Sequence, residues 1–288
     1  MFRYMKYREW DVSEMSMGAY AAMRSHGDES FVAIPVFTSR AFRQSALYVS
    51  HDSSISDLGE PRGKRIGVPV WFQTACVYAP ALLVHDCQMP LADIDWYQTG
   101  VNQTHREEGT EVSIPNGITL TRRPDRTLSD MLMNSELHAI IAARPPSSFI
   151  AGEGRIRRLL ANPTTAAEEY FGRTQLYPIM HVVVVKRDVY DRYPWVAQNR
   201  PTAFTEAKPR SVSRCLDAAI ARFPIPLVRD LAEHRVGIFS GELWPYGVEG
   251  NRCTLDAFLG YGLEQGVAAR AMTSDELLAP ATLSAARS

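Results

Sequence analysis

The segment "YPIMHVVVVKRD", Tyr177–Asp188, decides the fold, because it has the composition of a strand buried on both faces. Five of the six residues from Met180 to Val185 are apolar, and the last four are valines. A continuous apolar run rich in β-branched residues is typical of a central strand in a sheet covered by helices. His181 stands at the head of this run as its only polar side chain, so its presence needs an explanation.

Short apolar segments alternate with helical patterns along the rest of the chain. The predicted strands are "FVAIPVF" (31–37), "QSALYVS" (44–50), "KRIGVPV" (64–70), "DIDWYQTG" (93–100) and "GITLTR" (117–122). Pro35 places the first of these at a sheet edge or a strand end, and Pro80 is expected to kink or divide the helix predicted over 73–87. Since strands alternate with helices, we expect an α/β fold with a largely parallel sheet covered on both faces.

Length, charge and cysteine content exclude several classes of protein. The 288 residues, 45% of them hydrophobic, suffice for one large α/β unit or two lobes. With 31 Lys and Arg against 32 Asp and Glu, no overall field attracts nucleic acid or an anionic membrane. The four scattered cysteines predict neither a zinc site nor a disulfide framework. No apolar run reaches the ~20 residues of a membrane span, and no secretory signal is evident, so we expect a cytoplasmic protein.

Seven segments, in order and spread over nearly the whole chain, resemble the 4,5-dihydroxyphthalate decarboxylase family. They are "YREWDVSEMSMGAY", "FTSRAFRQSALYV", "GKRIGVP" with "QTA", "DIDWYQTGVNQ", "AARPP", "YPIMHVVVVKRDVY" and "WPYGVEGNRCTLDAF". The resemblance implies a two-lobed α/β fold of the type II periplasmic-binding-protein kind, each lobe a mostly parallel sheet flanked by helices. Family members begin with a further strand and helix, and this unit is expected to be missing here.

The resemblance also implies how the chain is divided between the lobes. Residues 1–50 and 180–288 would form the first lobe and residues 51–179 the second. The polar segment "SSISDLGEPRG" (53–63), which contains Gly and Pro, is a candidate crossing between them. The strand that contains His181 would be the return crossing, which places His181 at the cleft.

The reaction that the resemblance implies removes one carboxylate from an ortho-dicarboxylated catechol and gives protocatechuate and carbon dioxide. Each carboxylate is para to a hydroxyl, so electron density from the phenol oxygen reaches the carbon that carries the leaving group. Protonation of that carbon breaks aromaticity and loss of carbon dioxide restores it, so no redox cofactor is required. The protein has to hold a small aromatic dianion and deliver one proton from a positioned acid. Assembly into a homo-oligomer and assistance by a divalent ion stay open.

His181 and Glu14 are the predicted catalytic residues. Histidine is the side chain best suited to give and regain a proton near neutral pH, and we interpret His181 as the proton donor. Its structural alternative is a neutral imidazole that donates to a backbone carbonyl at a strand end. Glu14, in "SEMS", is predicted to accept from a catechol hydroxyl or to act as a base, with helix capping as the alternative.

Four polar residues are predicted to bind the substrate carboxylates. Ser39, Arg40 and Arg43, in "TSRAFR", follow a predicted strand, and Arg144, in "AARPP", follows another. Ligands bind at such strand ends in open α/β sheets, and the planar guanidinium matches a carboxylate with two hydrogen bonds. Surface salt bridges are the alternative for Arg40 and Arg43, and a structural loop is the alternative for Arg144.

Three further residues, at the predicted start of the helix over 73–87, complete the substrate-binding set. Gln73 and Thr74 lie where free amide groups favour an anion, although capping is the interpretation favoured for Thr74. Trp71 is predicted to stack on the aromatic ring, with a core position as the alternative, whereas Trp96 is assigned to the core. Because fold alone does not decide function, a non-catalytic solute-binding protein for an aromatic carboxylate or a similar small metabolite is the alternative to the decarboxylase.

Overall fold

A computed structural model describes residues 7–104, 112–152 and 154–283 of the chain. The strands within these residues are β1 Val12–Ser16, β2 Phe31–Arg40, β3 Leu47–Ser50, β4 Arg65–Val68, β5 Asp95–Gln98, β6 Thr119–Arg122, β7 Ala139–Ile141, β8 Ile156–Arg158 and β9 Ile179–Lys186. The helices are α1 Met17–Ser25, α2 Thr74–Cys87, α3 Leu128–Met133, α4 Ser147–Ile150, α5 Pro163–Thr174, α6 Arg187–Arg192, α7 Trp195–Leu216, α8 Val228–Ile238, α9 Arg252–Glu264, α10 Ser274–Leu277 and α11 Pro280–Leu283.

The strands form two sheets, one for each lobe. The first sheet has three strands in the order β1-β9-β2, and the second has six in the order β6-β5-β4-β7-β3-β8. In the second sheet β4 is parallel to β5 and β7, and β5 is parallel to β6, whereas β3 is antiparallel to β7 and β8. The expected α/β architecture with two sheets and flanking helices is confirmed.

The first sheet departs from the parallel arrangement that we expected in each lobe. β9 lies between β1 and β2 and is antiparallel to both. The reason is the direction of the chain, since α1 joins β1 to β2 as a crossover and β9 returns from the second lobe in the opposite sense. Residues Val182–Val185 are all buried, which confirms that the valine run is a central strand.

Pro35 lies inside β2, at an interruption of its pairing. β2 pairs with β9 up to Ile34, and pairing resumes at Ser39 after a register shift. The Gly247 amide donates to the Pro35 carbonyl at 2.9 Å, so the loop over residues 242–247 covers this edge of the sheet. The prediction that Pro35 occurs on an edge strand is confirmed, because β2 is the last strand of its sheet.

The chain crosses between the sheets over residues 41–46 and returns over residues 175–178. Leu47 of β3 is the partner of Ile141 in the second sheet, so residues 47–50 lie in the second lobe. The first crossing therefore precedes β3 and does not use the segment over residues 53–63. We call residues 41–46 and 175–178 the crossing segments.

One hydrophobic core joins the two lobes. It contains Met15 and Phe37 from the first sheet and Ile66 and Trp96 from the second. The helix α2 packs in this core and is continuous through Pro80, so the predicted division of the helix is wrong. Within the described ranges, no helix combines the length and the apolar content that crossing a bilayer requires.

Candidate active site

His181 and Glu14 meet at the end of the first sheet that adjoins the crossing segments. His181 is the Cα partner of Ser16, and Glu14 precedes Ser16 by two residues on the same face of β1. The imidazole Nδ1 lies 3.3 Å from Glu14 Oε2, and the two side chains are 28% and 46% exposed. A carboxylate at Nδ1 favours the tautomer with its proton on that nitrogen. Nε2 has no hydrogen bond to any residue that the structure describes, so it is available to a ligand.

Hydroxyl groups surround this pair. Thr38 donates to the same Glu14 oxygen at 3.1 Å. Ser16 on β1 and Ser39 on β2 flank His181 as its Cα partners on the two sides. Thr38 thus fixes the Glu14 carboxylate, and the partly exposed Ser39 adds a hydroxyl group that can bind a catechol oxygen.

Thr74 ties three elements together beside this site. Its hydroxyl donates to the Met180 carbonyl at 3.2 Å and accepts from the Ser16 hydroxyl and the Gly18 amide, each at 2.9 Å. These bonds use the full hydrogen-bonding capacity of a hydroxyl group, and Thr74 is 3% exposed. Gln73 is the N-cap residue of α2. The predicted roles of Thr74 as a helix cap and as a side-chain contact to substrate are therefore wrong, because β1, α1 and β9 occupy its hydroxyl.

The N-termini of α1 and α2 converge at this point. Gly18, in the first turn of α1, packs so closely that a Cβ atom there would lie 2.3 Å from the Phe72 carbonyl oxygen. The first turn of a helix has amide groups without intrahelical partners, and its dipole favours negative charge. Because Ser16 directly precedes α1 and faces His181, this positive end of the helix lies next to the His181–Glu14 pair.

Arg43 lies on the opposite face of β9. Its Nε is 3.1 Å from the Met180 sulfur, and adjacent residues of a strand point to opposite faces of the sheet. Burial lowers the pKa of the Arg43 guanidinium, and the nearby Cys76 and Tyr78 place it against α2. No carboxylate of the described residues forms an ion pair with it. The structure therefore does not bring Arg43 to the face that carries His181.

Arg40 is held by the protein itself. It is 7% exposed and donates to the carbonyls of Tyr177 at 2.9 Å and Pro245 at 2.8 Å, and to the Asn251 side chain. Burial lowers the pKa of its guanidinium to about 10. The prediction that Arg40 clamps the substrate next to His181 is contradicted, since its hydrogen bonds join β2 to the return crossing and to the loop before α9.

Arg144 occupies the carboxyl edge of the second sheet. It follows β7, which is parallel to β4, and the chain passes from the same end of β4 into the N-terminus of α2. Arg144 is exposed, and its guanidinium has no ion pair or hydrogen bond to the residues in the described ranges. Among the three predicted arginines, it is the one whose position leaves it open to a carboxylate.

Trp71 belongs to the core and does not line the site. It is 1% exposed, its indole donates to the Gln265 carbonyl at 2.9 Å, and its ring packs edge to face on Trp96 at 5.2 Å. The predicted stacking of Trp71 on substrate is therefore wrong, and the core position of Trp96 is confirmed. Gln73, in contrast, is partly exposed at the start of α2.

The sequence did not single out Thr38 or Ser16 as site residues. Ser16 could have been found from its spacing, because residues two apart share a face once the segment forms a strand, and Ser16 follows Glu14 by two residues. Thr38 could not, since its contact with Glu14 depends on the order of strands in the sheet. Within the described residues, no group of three metal-ligating side chains is placed to hold a metal ion.

The chain has curated relatives that cover most of its length. It is 31% identical over 283 residues to a 4,5-dihydroxyphthalate decarboxylase from Comamonas testosteroni, an alignment that covers 98% of this chain and 86% of the relative. The chain belongs to the 4,5-dihydroxyphthalate decarboxylase family. A second relative of that description, from Pseudomonas putida, is 33% identical over 171 residues, or 59% of this chain and 66% of the relative. No protein-family model matches the chain.

Solved structures show what fold this decarboxylase-family chain has. The periplasmic aliphatic sulphonate binding protein SsuA from Escherichia coli superposes with a TM-score of 0.55 at 10% identity, over 98% of this chain and 84% of that one. The desulfurization enzyme DSZB superposes with a TM-score of 0.51 at 13% identity, over 96% and 85% of the two chains. These likenesses confirm the periplasmic-binding-protein-like fold.

Proposed function

We propose that this chain removes one carboxylate from 4,5-dihydroxyphthalate and releases protocatechuate and carbon dioxide. The observation that carries the proposal is the partly exposed His181–Glu14 pair, 3.3 Å apart at the open end of the first sheet. Membership of the family supplies the reaction, and this pair supplies the acid that the reaction requires.

His181 delivers the proton and Glu14 positions it. In the imidazolium form, Nδ1–H donates to Glu14 and Nε2–H faces the substrate. Transfer of the Nε2 proton to the ring carbon that carries a carboxylate interrupts aromaticity. The bond between that carbon and the carboxylate then breaks, its electron pair returns to the ring, and carbon dioxide leaves. The neutral imidazole regains one proton from solvent, so each turnover consumes one proton.

Helix N-termini and one arginine hold the dianion in this proposal. The first turns of α1 and α2 offer amide groups near His181 other than that of Gly18, which donates to Thr74, and Gln73 adds a partly exposed side-chain amide. Arg144 binds the carboxylate that stays, through its exposed guanidinium at the edge of the second sheet. Ser39 hydrogen-bonds a catechol hydroxyl, since it lies beside His181 on β2.

The direct test is to incubate the protein with 4,5-dihydroxyphthalate in deuterated water. We expect release of carbon dioxide and protocatechuate with deuterium at the ring position that lost its carboxylate, both followed by NMR. Saturable binding of 4,5-dihydroxyphthalate without either product would contradict the proposal and favour the solute-binding function.

A cytoplasmic location is also part of the proposal. No disulfide joins any two of the four cysteines, Cys76, Cys87, Cys215 and Cys253, all of which the structure describes, and this fits a reducing compartment. The small aromatic dicarboxylate is the proposed partner, and assembly with further copies of the chain stays a prediction.

A further inference from the structure

A cavity lies at the crossing segments, and neither His181 nor Glu14 lines it. Its volume is about 390 Å³, which is within the range of small-molecule sites. Phe42 and Tyr177 line it from the two crossing segments, and Phe239 lines it from the end of α8. We call this cavity the hinge pocket.

The aromatic side chains of the hinge pocket form a packed cluster. Phe42 stacks on Tyr177 with ring centroids 5.1 Å apart and planes inclined by 16°, and Tyr177 contacts Phe239 at 4.7 Å. Such a cluster offers flat apolar surface to a planar ring, which prefers offset or edge contacts with its neighbours. The pocket therefore suits an aromatic ligand.

The polar part of the lining is cationic. Arg40, Arg158 and Arg235 contribute guanidinium groups, and none of the described lining residues is acidic. Arg158 is exposed at the end of β8 and forms no ion pair with a described residue. Arg40 is 7% exposed, and its Nε has no hydrogen-bond partner. Because three arginines and no described carboxylate line the pocket, an anion there would be favoured.

Arg235 lines the pocket and also forms an ion pair with Glu168 that joins the lobes. Its Nη1 donates to Glu168 of α5 at 2.5 Å, and His234 lies 3.3 Å from the same Glu168 oxygen. Thr164, one turn earlier on α5, lines the pocket. An anion in the pocket and the Glu168 carboxylate therefore compete for the Arg235 guanidinium.

We propose that the hinge pocket is a second binding site, which takes a small planar aromatic monocarboxylate. The ring packs on Phe42, Tyr177 and Phe239, and the carboxylate binds Arg158 and Arg235. This site is separate from the proposed decarboxylation at His181, because neither His181 nor Glu14 lines it.

The test is isothermal titration calorimetry of the full-length protein with benzoate as the probe. We expect Arg158→Gln and Arg235→Gln each to weaken benzoate binding by about tenfold or more, the effect of losing a charge-assisted hydrogen bond. Glu168→Gln is expected to tighten it severalfold, because the internal competitor for Arg235 is removed. Cyclohexanecarboxylate, which keeps the charge and lacks the aromatic ring, should bind more weakly.

Matched variants control for charge and for folding. Arg155→Gln, three residues before Arg158, and Arg229→Gln, which pairs with Glu233 on the same helix as Arg235, should leave benzoate binding unchanged. Arg144→Gln, which removes the arginine proposed to hold the substrate carboxylate at the catalytic site, should also leave benzoate binding unchanged, which separates this site from the catalytic one. Since Arg158 is exposed, its variant is expected to fold even where Arg235→Gln does not. Equal benzoate affinity in wild type and Arg158→Gln, or no measurable binding to wild type, would overturn the proposal.

Discussion

The two ends of the first sheet share the same three strands and have opposite chemistry. At the end remote from the crossing segments, Val183 and Val185 of β9 pack with Val32 and Ile34 of β2 in a closed apolar cluster. At the near end, the same face of β9 carries His181, which is partly exposed and bound to Glu14.

The difference follows from the cost of burying polar groups. An imidazole and a carboxylate inside the valine cluster would lose their hydration, whereas at the open end they keep contact with solvent and with each other. One continuous strand therefore carries the buried valines over most of its length and the partly exposed His181, the proposed proton donor, near its N-terminal end. Variants at the near end should change turnover, and variants at the far end should change stability.

The largest effect is expected for His181→Gln. Loss of a general acid lowers kcat by ~10²–10⁴-fold, while KM changes by much less because the anion-binding groups remain. The measurement is steady-state release of protocatechuate. His85→Gln is the matched control, since His85 also pairs with a carboxylate, Glu264 at 2.8 Å, but on the surface of α2. Turnover within a few-fold of wild type would assign His181 a structural role.

At the valine end, Val185→Ala should act on stability alone. Val185 is fully buried, and removing two methyl groups should lower the free energy of unfolding by about 2 kcal/mol. Urea denaturation measures this loss, and kcat of the folded variant should equal that of wild type. Leu227→Ala serves as the control, because Leu227 is 75% exposed. A large loss of kcat in the folded Val185 variant would contradict the assignment of turnover to the near end and stability to the far end.

Tyr20→Phe, at the far end, should remove part of the dependence of stability on alkaline pH. The Tyr20 hydroxyl donates to the Leu277 carbonyl at 2.8 Å and accepts from the Ala33 amide at 3.0 Å, and burial raises its pKa to about 12. In the unfolded chain the phenol loses its proton near pH ~10. The stabilisation that the neutral Tyr20 hydroxyl gives the folded state is therefore complete below pH ~10 and is lost as the pH rises toward 12.

Urea denaturation between pH 8 and pH 11.5 measures both consequences. Tyr20→Phe should cost about 1–2 kcal/mol at pH 8, and its stability should fall less steeply with alkaline pH than that of wild type. Tyr193→Phe is the control, since Tyr193 is 44% exposed. Identical alkaline slopes in wild type and Tyr20→Phe would contradict the assignment.

The smallest effect is expected for Thr38→Val at the near end. The variant removes the hydrogen bond to Glu14, worth about 1 kcal/mol, so kcat should fall by about fivefold. Stability should change little, because the Glu14 carboxylate is partly exposed. Thr119→Val, at an exposed position of β6, controls for the loss of a strand hydroxyl. An unchanged kcat would show that Thr38 does not position Glu14.

The sequence predicted the features that depend on local pattern. The valine run identified β9 and its burial, and Trp96 was assigned to the core. His181 and Glu14 were selected as separate catalytic candidates, and the structure places their side chains 3.3 Å apart. Local spacing could not predict the environment of Arg40, because its carbonyl acceptors, Tyr177 and Pro245, are 137 and 205 residues away in the chain.

The errors share one physical cause, which is tertiary contact that overrides a local signal. Thr74 was interpreted as a helix cap, but Gln73 is the N-cap residue, and Ser16, Gly18 and Met180 occupy the Thr74 hydroxyl. Trp71 follows a strand end where ligands bind, yet the Gln265 carbonyl accepts from its indole inside the core.

The central claim is that His181 and Glu14 act as one unit that delivers the proton. The most direct test is kcat for wild type, Glu14→Gln, His181→Gln and the double variant, measured by protocatechuate release. If Glu14 acts only through His181, kcat of the double variant should equal that of His181→Gln within about twofold. Losses that multiply in the double variant would contradict the account, because they would show that the two residues contribute independently.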